Sequence, residues 1–149
     1  MRIVPADRMA KPLGKKEADK LLFEPNILRL GLIDDDGSPI VHPVWYCYRD
    51  EKFYVATDMA GRKARLLKKN PEVYFLVDVN PQNSPPKGVR GKGIARVIED
   101  TAFAEEITAI NVKNYLGSTR TKKAQEVLKL GKRSCVVEIT PSYLATWKF

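Results

Sequence analysis

Residues 41–64 read VHPVWYCYRDEKFYVATDMAGRKA. Two apolar, β-branched and aromatic runs, 39–48 and 52–57, flank the short turn RDE, which is a hairpin pattern. The second run ends in Thr57 and leads through a turn containing Gly61 into RKARLLKKN (62–70). That stretch has helical spacing, and Asn70–Pro71 closes it. Arg62 and Lys63 fall in its first turn. A helix N-terminus carries partial positive charge and unpaired N–H groups, so it favours acids. Each cation placed there costs about 0.3–1 kcal/mol unless something compensates. Stepping at about 100° per residue, Ala64, Leu66 and Leu67 mark an apolar sector that includes Lys63. Arg62, Arg65, Lys68 and Lys69 fall outside it. An inward lysine needs a partner. A strand end with a hydroxyl, a glycine turn, two cations and free N–H groups together describe a phosphate site. The competing reading has Lys63 snorkelling to water and Arg62 simply solvated.

The same alternation extends along the chain. ILRLGLI (27–33) precedes the 39–48 run across DDDGS, whose Asp-Gly marks a loose hairpin. Pro43 lacks an N–H, which places it at a sheet edge or bulge and lets the strand turn a barrel corner. EVYFLVDV (72–79), VRGKGIARVIE (89–99) and SCVVEIT (134–140) are further strands, and NPQNSPPKG (80–88) is a loop. Helices are expected at 15–24, packing Leu21, Leu22 and Phe23, and at 101–116 and 119–130, which stop at Gly117 and Gly131. Six strands with few interposed helices predict a mainly β, α+β domain built on an antiparallel sheet or barrel. The chain is read as one domain over 1–149, with residues 1–13 loosely ordered.

Composition narrows the function classes. The chain has 149 residues, of which 44% are hydrophobic and 30% charged. No run approaches the ~20 apolar residues of a membrane span. The N-terminal stretch lacks the apolar segment of a signal peptide, so a cytoplasmic protein is expected. Cys47 and Cys135 form no CxxC pair, and one histidine does not complete a zinc site with them. Asp34, Asp35 and Asp36 lack calcium-loop spacing and suit turn chemistry. No metal site is expected. The net charge of +8 attracts anions such as nucleic acid or a phosphorylated small molecule. Base stacking on Trp45, Tyr46, Tyr48 and Tyr54 is disfavoured, because a small barrel needs those strand aromatics in its core. GVRGKG (88–93) lacks P-loop spacing and opens no helix. No Ser–His–Asp or Cys–His set is visible, so redox chemistry would rest on a cofactor.

The 41–64 stretch resembles the FMN-binding split-barrel proteins, the pyridoxamine 5′-phosphate oxidase-like superfamily. The likeness includes the opening helix, the DGSP hairpin, the EVYFLVD strand and the G-x-A-R pattern at Gly93–Arg96. It implies a six-stranded antiparallel split β-barrel that binds FMN as an oxidoreductase. It also implies that Thr57, Arg62 and Lys63 hold the phosphate, with Ala56 along the ribityl end. The strand of Val41, His42, Pro43, Val44, Trp45 and Tyr46 would lie along the ring. A homodimer with flavin at the subunit interface is implied, with Trp147 reaching toward the partner's cofactor. Related split barrels use the deazaflavin F420 or haem, and a non-catalytic flavin carrier would share the pattern. The final residues, Trp147–Lys148–Phe149, carry no Arg-Leu-x-Pro-type ending, so vitamin B6 oxidation is not implied. His42 is read as a hydrogen-bonded strand residue that shares a face with Val44 and Tyr46.

Overall fold

The strand run at 39–48 breaks at Trp45 and Tyr46, and this break organises the molecule. The computed structural model describes residues 1–149 as nine strands and four helices. The strands are β1 (Ile3–Pro5), β2 (Leu28–Ile33), β3 (Pro39–Val44), β4 (Cys47–Arg49), β5 (Lys52–Asp58), β6 (Glu72–Val79), β7 (Lys87–Ile98), β8 (Ser134–Pro141) and β9 (Leu144–Trp147). The helices are α1 (Lys15–Phe23), α2 (Arg62–Lys69), α3 (Thr101–Leu116) and α4 (Lys122–Leu130), and a 3-10 turn follows at Gly131–Arg133.

The main sheet runs β3-β2-β6-β7-β8-β5-β4. Its two edge strands, β3 and β4, are consecutive in the chain and separated by two residues. Three residue steps span at most about 10–11 Å. The sheet must therefore curl until its edges almost meet, which makes an open barrel of mostly antiparallel strands. Pro43 sits on the β3 edge, where a missing N–H costs nothing.

The expected six strands are all present, with the 39–48 run divided into β3 and β4. Two short strands were not expected. β1 pairs in parallel with β9, so residues 3–5 are tied to the C-terminal strand. Leu13 is buried as well, so the 1–13 segment, expected to be loosely ordered, is anchored at both of these points. β9 in turn pairs with β7 over Gly88–Arg90, before β7 passes to β8 over Gly93–Ile98. Gly91 lies at this changeover. A Cβ there would stand 2.3 Å from the Tyr143 carbonyl oxygen, so only glycine admits the β8–β9 connection.

Inside the barrel, Leu28, Leu30 and Leu32 of β2 meet Phe53, Val55, Phe75, Val77, Val137 and Ile139. Leu21 and Leu22 of α1 and Leu66 and Leu67 of α2 join the same core. Phe23 departs from expectation: it is 63% exposed and packs edge-to-face on Tyr48. β5 and β8 are covered on both faces. Tyr54 and Val136 point outward and pack beneath Ala104 and Ile107 of α3. Continuous burial at Phe53, Tyr54 and Val55 follows from this double cover. Tyr46, Tyr48 and Tyr54 are buried, which removes them as a platform for stacking bases.

Candidate functional site

Where β5 hands over to α2, the α3–α4 pair stands opposite and leaves a cleft of about 400 Å³. Pro43, Val44 and Trp45 line one end from the β3–β4 junction. Ala56, Thr57 and Asp58 line the floor from the end of β5, and Lys63 enters from the first turn of α2. These include six of the residues expected from sequence. The opposite wall is Thr108 and Asn111 of α3, Val127 and Leu130 of α4, then Arg133 and Ser134.

The turn between β5 and α2 is built by Asp58. Its carboxylate accepts from the Ala60 N–H at 3.0 Å, and its carbonyl accepts from the Gly61 N–H at 3.0 Å. Gly61 starts α2 with no side-chain cap, and the first turn contains no acid. The helical wheel holds in three dimensions: Ala64, Leu66 and Leu67 are buried, and Lys63 is half-buried on their side.

The cations of α2 have unequal surroundings. Arg62 reaches Asp34 at 2.5 Å, Arg65 forms a two-pronged pair with Asp35, Lys69 approaches Asp35 at 3.6 Å, and Lys68 pairs with Glu99. The aspartates of the β2–β3 loop thus neutralise the outer face of α2. Lys63 alone among the five has no carboxylate within 4 Å, although Asp58 lines the same cleft. Arg133 stands exposed on the opposite wall, also without an ion pair.

The remaining expected residues lie outside the cleft. Arg62 is turned to Asp34 and exposed. Val41 points outward from β3 and is 65% exposed. Tyr46 is core. His42 faces the barrel side of β3 with Val44. Burial lowers its pKa below the ordinary imidazole value, and the charges of Lys63 and Arg62 add to the effect. Trp147 lies in a separate groove with Leu76, Arg90 and Phe149, its ring against Gly88, where a Cβ would stand 2.5 Å from Cη2.

Sequence reading missed the α3–α4 wall. Asn111 is buried, and its Oδ1 has no donor. One helical turn further on, Tyr115 stacks on Trp45 at 4.8 Å with the rings 4° from parallel. Its hydroxyl donates to the Asn26 carbonyl at 2.6 Å and accepts from the Tyr46 N–H at 3.2 Å. Burial pushes the Tyr115 hydroxyl up to about 12. This clamp holds the strand break, and hence Trp45, in place.

A family profile described as pyridoxamine 5′-phosphate oxidase matches residues 15–148. The chain belongs to this family. The pyridoxamine 5′-phosphate oxidase family match takes in every element from α1 to β9. No curated protein matches the chain. Among solved structures, a conserved hypothetical protein from Mycobacterium tuberculosis superposes with a TM-score of 0.81 at 20% identity, covering 95% of this chain and 89% of the other. An FAD-binding protein from Mesorhizobium loti gives 0.71 at 22% identity, with 93% and 96% covered. A protein named F420 reductase gives 0.63 at 20% identity, with 91% and 98% covered. Likeness at these identities shows the shared fold. No helix is long and apolar enough to cross a membrane.

Proposed function

We propose that the protein binds FMN in the cleft between β5, α2 and α3, and that it is a flavin-dependent oxidoreductase. One observation carries the reading. Every cation of α2 has a carboxylate partner except Lys63, which is the one facing the cleft. A half-buried ammonium in the first turn of a helix, left without an acid, suits a ligand anion. A phosphate there meets Lys63, the Thr57 hydroxyl and free N–H groups of α2, with Arg133 on the opposite wall. The volume lies within the range of small-molecule sites, roughly 300–1,000 Å³. Arg62, implied as a phosphate ligand by the family resemblance, is spent on Asp34; its charge supports the corner from outside.

Bound FMN would supply the hydride and electron chemistry, since the cleft is lined by neither cysteine nor histidine. The chain's own residues then have three tasks. Lys63 and Thr57 anchor the phosphate end. Pro43, Val44 and Trp45 form an apolar wall for a flat ring, with Trp45 fixed by Tyr115. Val127 and Leu130 add apolar surface on the opposite wall. The outer sheet face, where Val41, Tyr74 and Ile94 are exposed among Arg29, Glu72, Lys92 and Arg96, is the surface offered for a homodimer with a second copy. The groove of Trp147 would then lie near the partner's site. Two free thiols, Cys47 and Cys135, suit a reducing cytoplasm.

A second reading replaces FMN with F420. The same phosphate corner serves either, and one structural neighbour is named for F420. A haem reading gains nothing, because His42, the only histidine, does not line the cleft. The test is to identify the chromophore that co-purifies and to titrate apo-protein with FMN and F420 in parallel. Tight FMN binding with flavin absorption supports the first reading. Preference for F420 overturns it in favour of the second, and binding of neither rejects both.

A further inference from the structure

We propose that Asn111 reads the chain joining phosphate to ring in the bound cofactor, by hydrogen-bonding one of its hydroxyls. The inference rests on the flavin reading and adds to it a specificity residue from α3.

Asn111 is 4% exposed, lines the cleft, and lies in the otherwise apolar AINV stretch of α3. Its Oδ1 is closed to solvent and has no donor, so it reaches a ligand in the cleft once the amide turns about its terminal torsion. Buried polar groups are almost always partnered, and each exception calls for an explanation. Only one other buried side-chain atom is in this state, the Tyr48 hydroxyl, and it belongs to the core. Neighbouring Thr108 satisfies itself by donating to the Ala104 carbonyl at 2.7 Å.

Position then selects the ligand chemistry. Thr108 packs at Gly131, beside the Arg133–Ser134 corner, and Ser134 pairs with Asp58 across the sheet. Tyr115 marks the other end, stacked on Trp45. On a helix rising 1.5 Å per residue, Asn111 lies about 4.5 Å beyond Thr108 and about 6 Å before Tyr115. A molecule with its phosphate at Lys63 and its ring at Trp45 passes Asn111 midway. The part of a flavin nucleotide found there is a polyol. A hydroxyl both donates and accepts, as does a carboxamide. The terminal torsion of asparagine is soft, so the amide turns to suit either sense without backbone movement.

The experiment compares FMN with an analogue in which a plain pentyl chain joins ring and phosphate. Wild-type protein, Asn111→Leu and Asn111→Ala are titrated with both by fluorescence quenching, and the apo forms are melted. Wild type is expected to favour FMN over the analogue. In either variant that preference should shrink about tenfold, through weaker FMN binding with the analogue unchanged. Apo Asn111→Leu should melt no lower than wild type, because an unsatisfied buried amide has been removed. An undiminished preference, or equal losses for both ligands, overturns the proposal: Asn111 is then a packing residue or holds a buried water. If Asn111→Leu fails to fold, Asn111→Ala decides by the same ratio. Wild type that binds no FMN overturns the flavin reading and this inference with it. Wild type that binds FMN beside indifferent variants overturns this inference alone.

Discussion

Replacing Lys63 by alanine separates the roles of the α2 cations, and the expected effects have opposite signs. A charge-assisted hydrogen bond contributes about 1.5–3 kcal/mol, so Lys63→Ala should weaken FMN binding roughly 10- to 150-fold. Lys68 is the control. It lies about 7.5 Å further along the axis and roughly 140° round the helix, exposed and paired with Glu99. Its charge reaches the cleft only through screening solvent, and Lys68→Ala should cost less than about threefold. Arg62→Ala should fall between the two, because its guanidinium is engaged by Asp34. Apo-protein should respond the other way. Lys63 stands in a first turn with no acid, at a cost of about 0.3–1 kcal/mol, and alanine is the better helix former. The Lys63→Ala apo-protein should therefore be at least as stable as wild type, and its melting point should rise by a few degrees at most. Titration by flavin fluorescence, with calorimetry of the apo forms, reads both quantities. Equal affinity losses for Lys63→Ala and Lys68→Ala would refute the reasoning. So would a Lys63→Ala apo-protein clearly less stable than wild type, which would show that the ammonium already has a partner.

Further expectations follow from the same structure. Burial first, then Lys63 and Arg62, holds the folded pKa of His42 below 6.5. The unfolded chain therefore takes up this proton first. The stability it contributes is complete above about pH 6.5 and is lost as the pH falls through that value toward the folded pKa; His42→Gln should flatten that part of a denaturation-versus-pH profile. Tyr115→Phe strands the Tyr46 N–H and the Asn26 carbonyl. It should cost about 1–3 kcal/mol in urea denaturation while leaving Trp45 a ring to stack on. Asp50 and Glu51 form the β4–β5 turn with φ of 52° and 58°, a left-handed pair that favours Asn-Gly. Glu51→Gly should raise the melting point by about 2–4 °C, equivalent to ~1 kcal/mol at this size; no rise would mean that the Glu51 pairs with Lys15 and the N-terminus outweigh the backbone strain.

The parts of the fold legible in sequence are those where one face meets the core and the other meets water. β2 and β6 alternate and were found within a residue of their ends, and α2 presents Ala64, Leu66 and Leu67 at the expected angles. Other parts have a second cause of burial or none of their own. β5 is buried on both faces because α3 covers its outside, so it was legible as a short apolar run of β-formers and not by alternation. β1 has three residues and exists only because β9 offers an edge. The break at Trp45–Tyr46 leaves no trace in hydropathy; it arises because barrel closure requires the chain to change edges there.

The same distinction explains which half of the candidate site was found. Thr57, Gly61 and Lys63 are close in sequence, so local rules about helix ends could bring them forward. Asn111 and Arg133 are more than forty residues away and join the cleft only because α3 and α4 fold back over β5 and β8. A single asparagine among apolar neighbours was the available signal, and it acquires meaning only once the helix is known to face a cleft. Arg62 shows what a local rule leaves out. Its spacing suits a phosphate, and the acidic β2–β3 loop, 28 residues earlier, also reaches it. That loop neutralises Arg62, Arg65 and Lys69, and Glu99 neutralises Lys68, so the outward cations of α2 are paired while Lys63 is not. Removing Asp34 and Asp35 together should therefore draw anions to the outside of α2 and raise adventitious phosphate binding there, while the salt-resistant part of FMN affinity, set by half-buried Lys63, stays as it was.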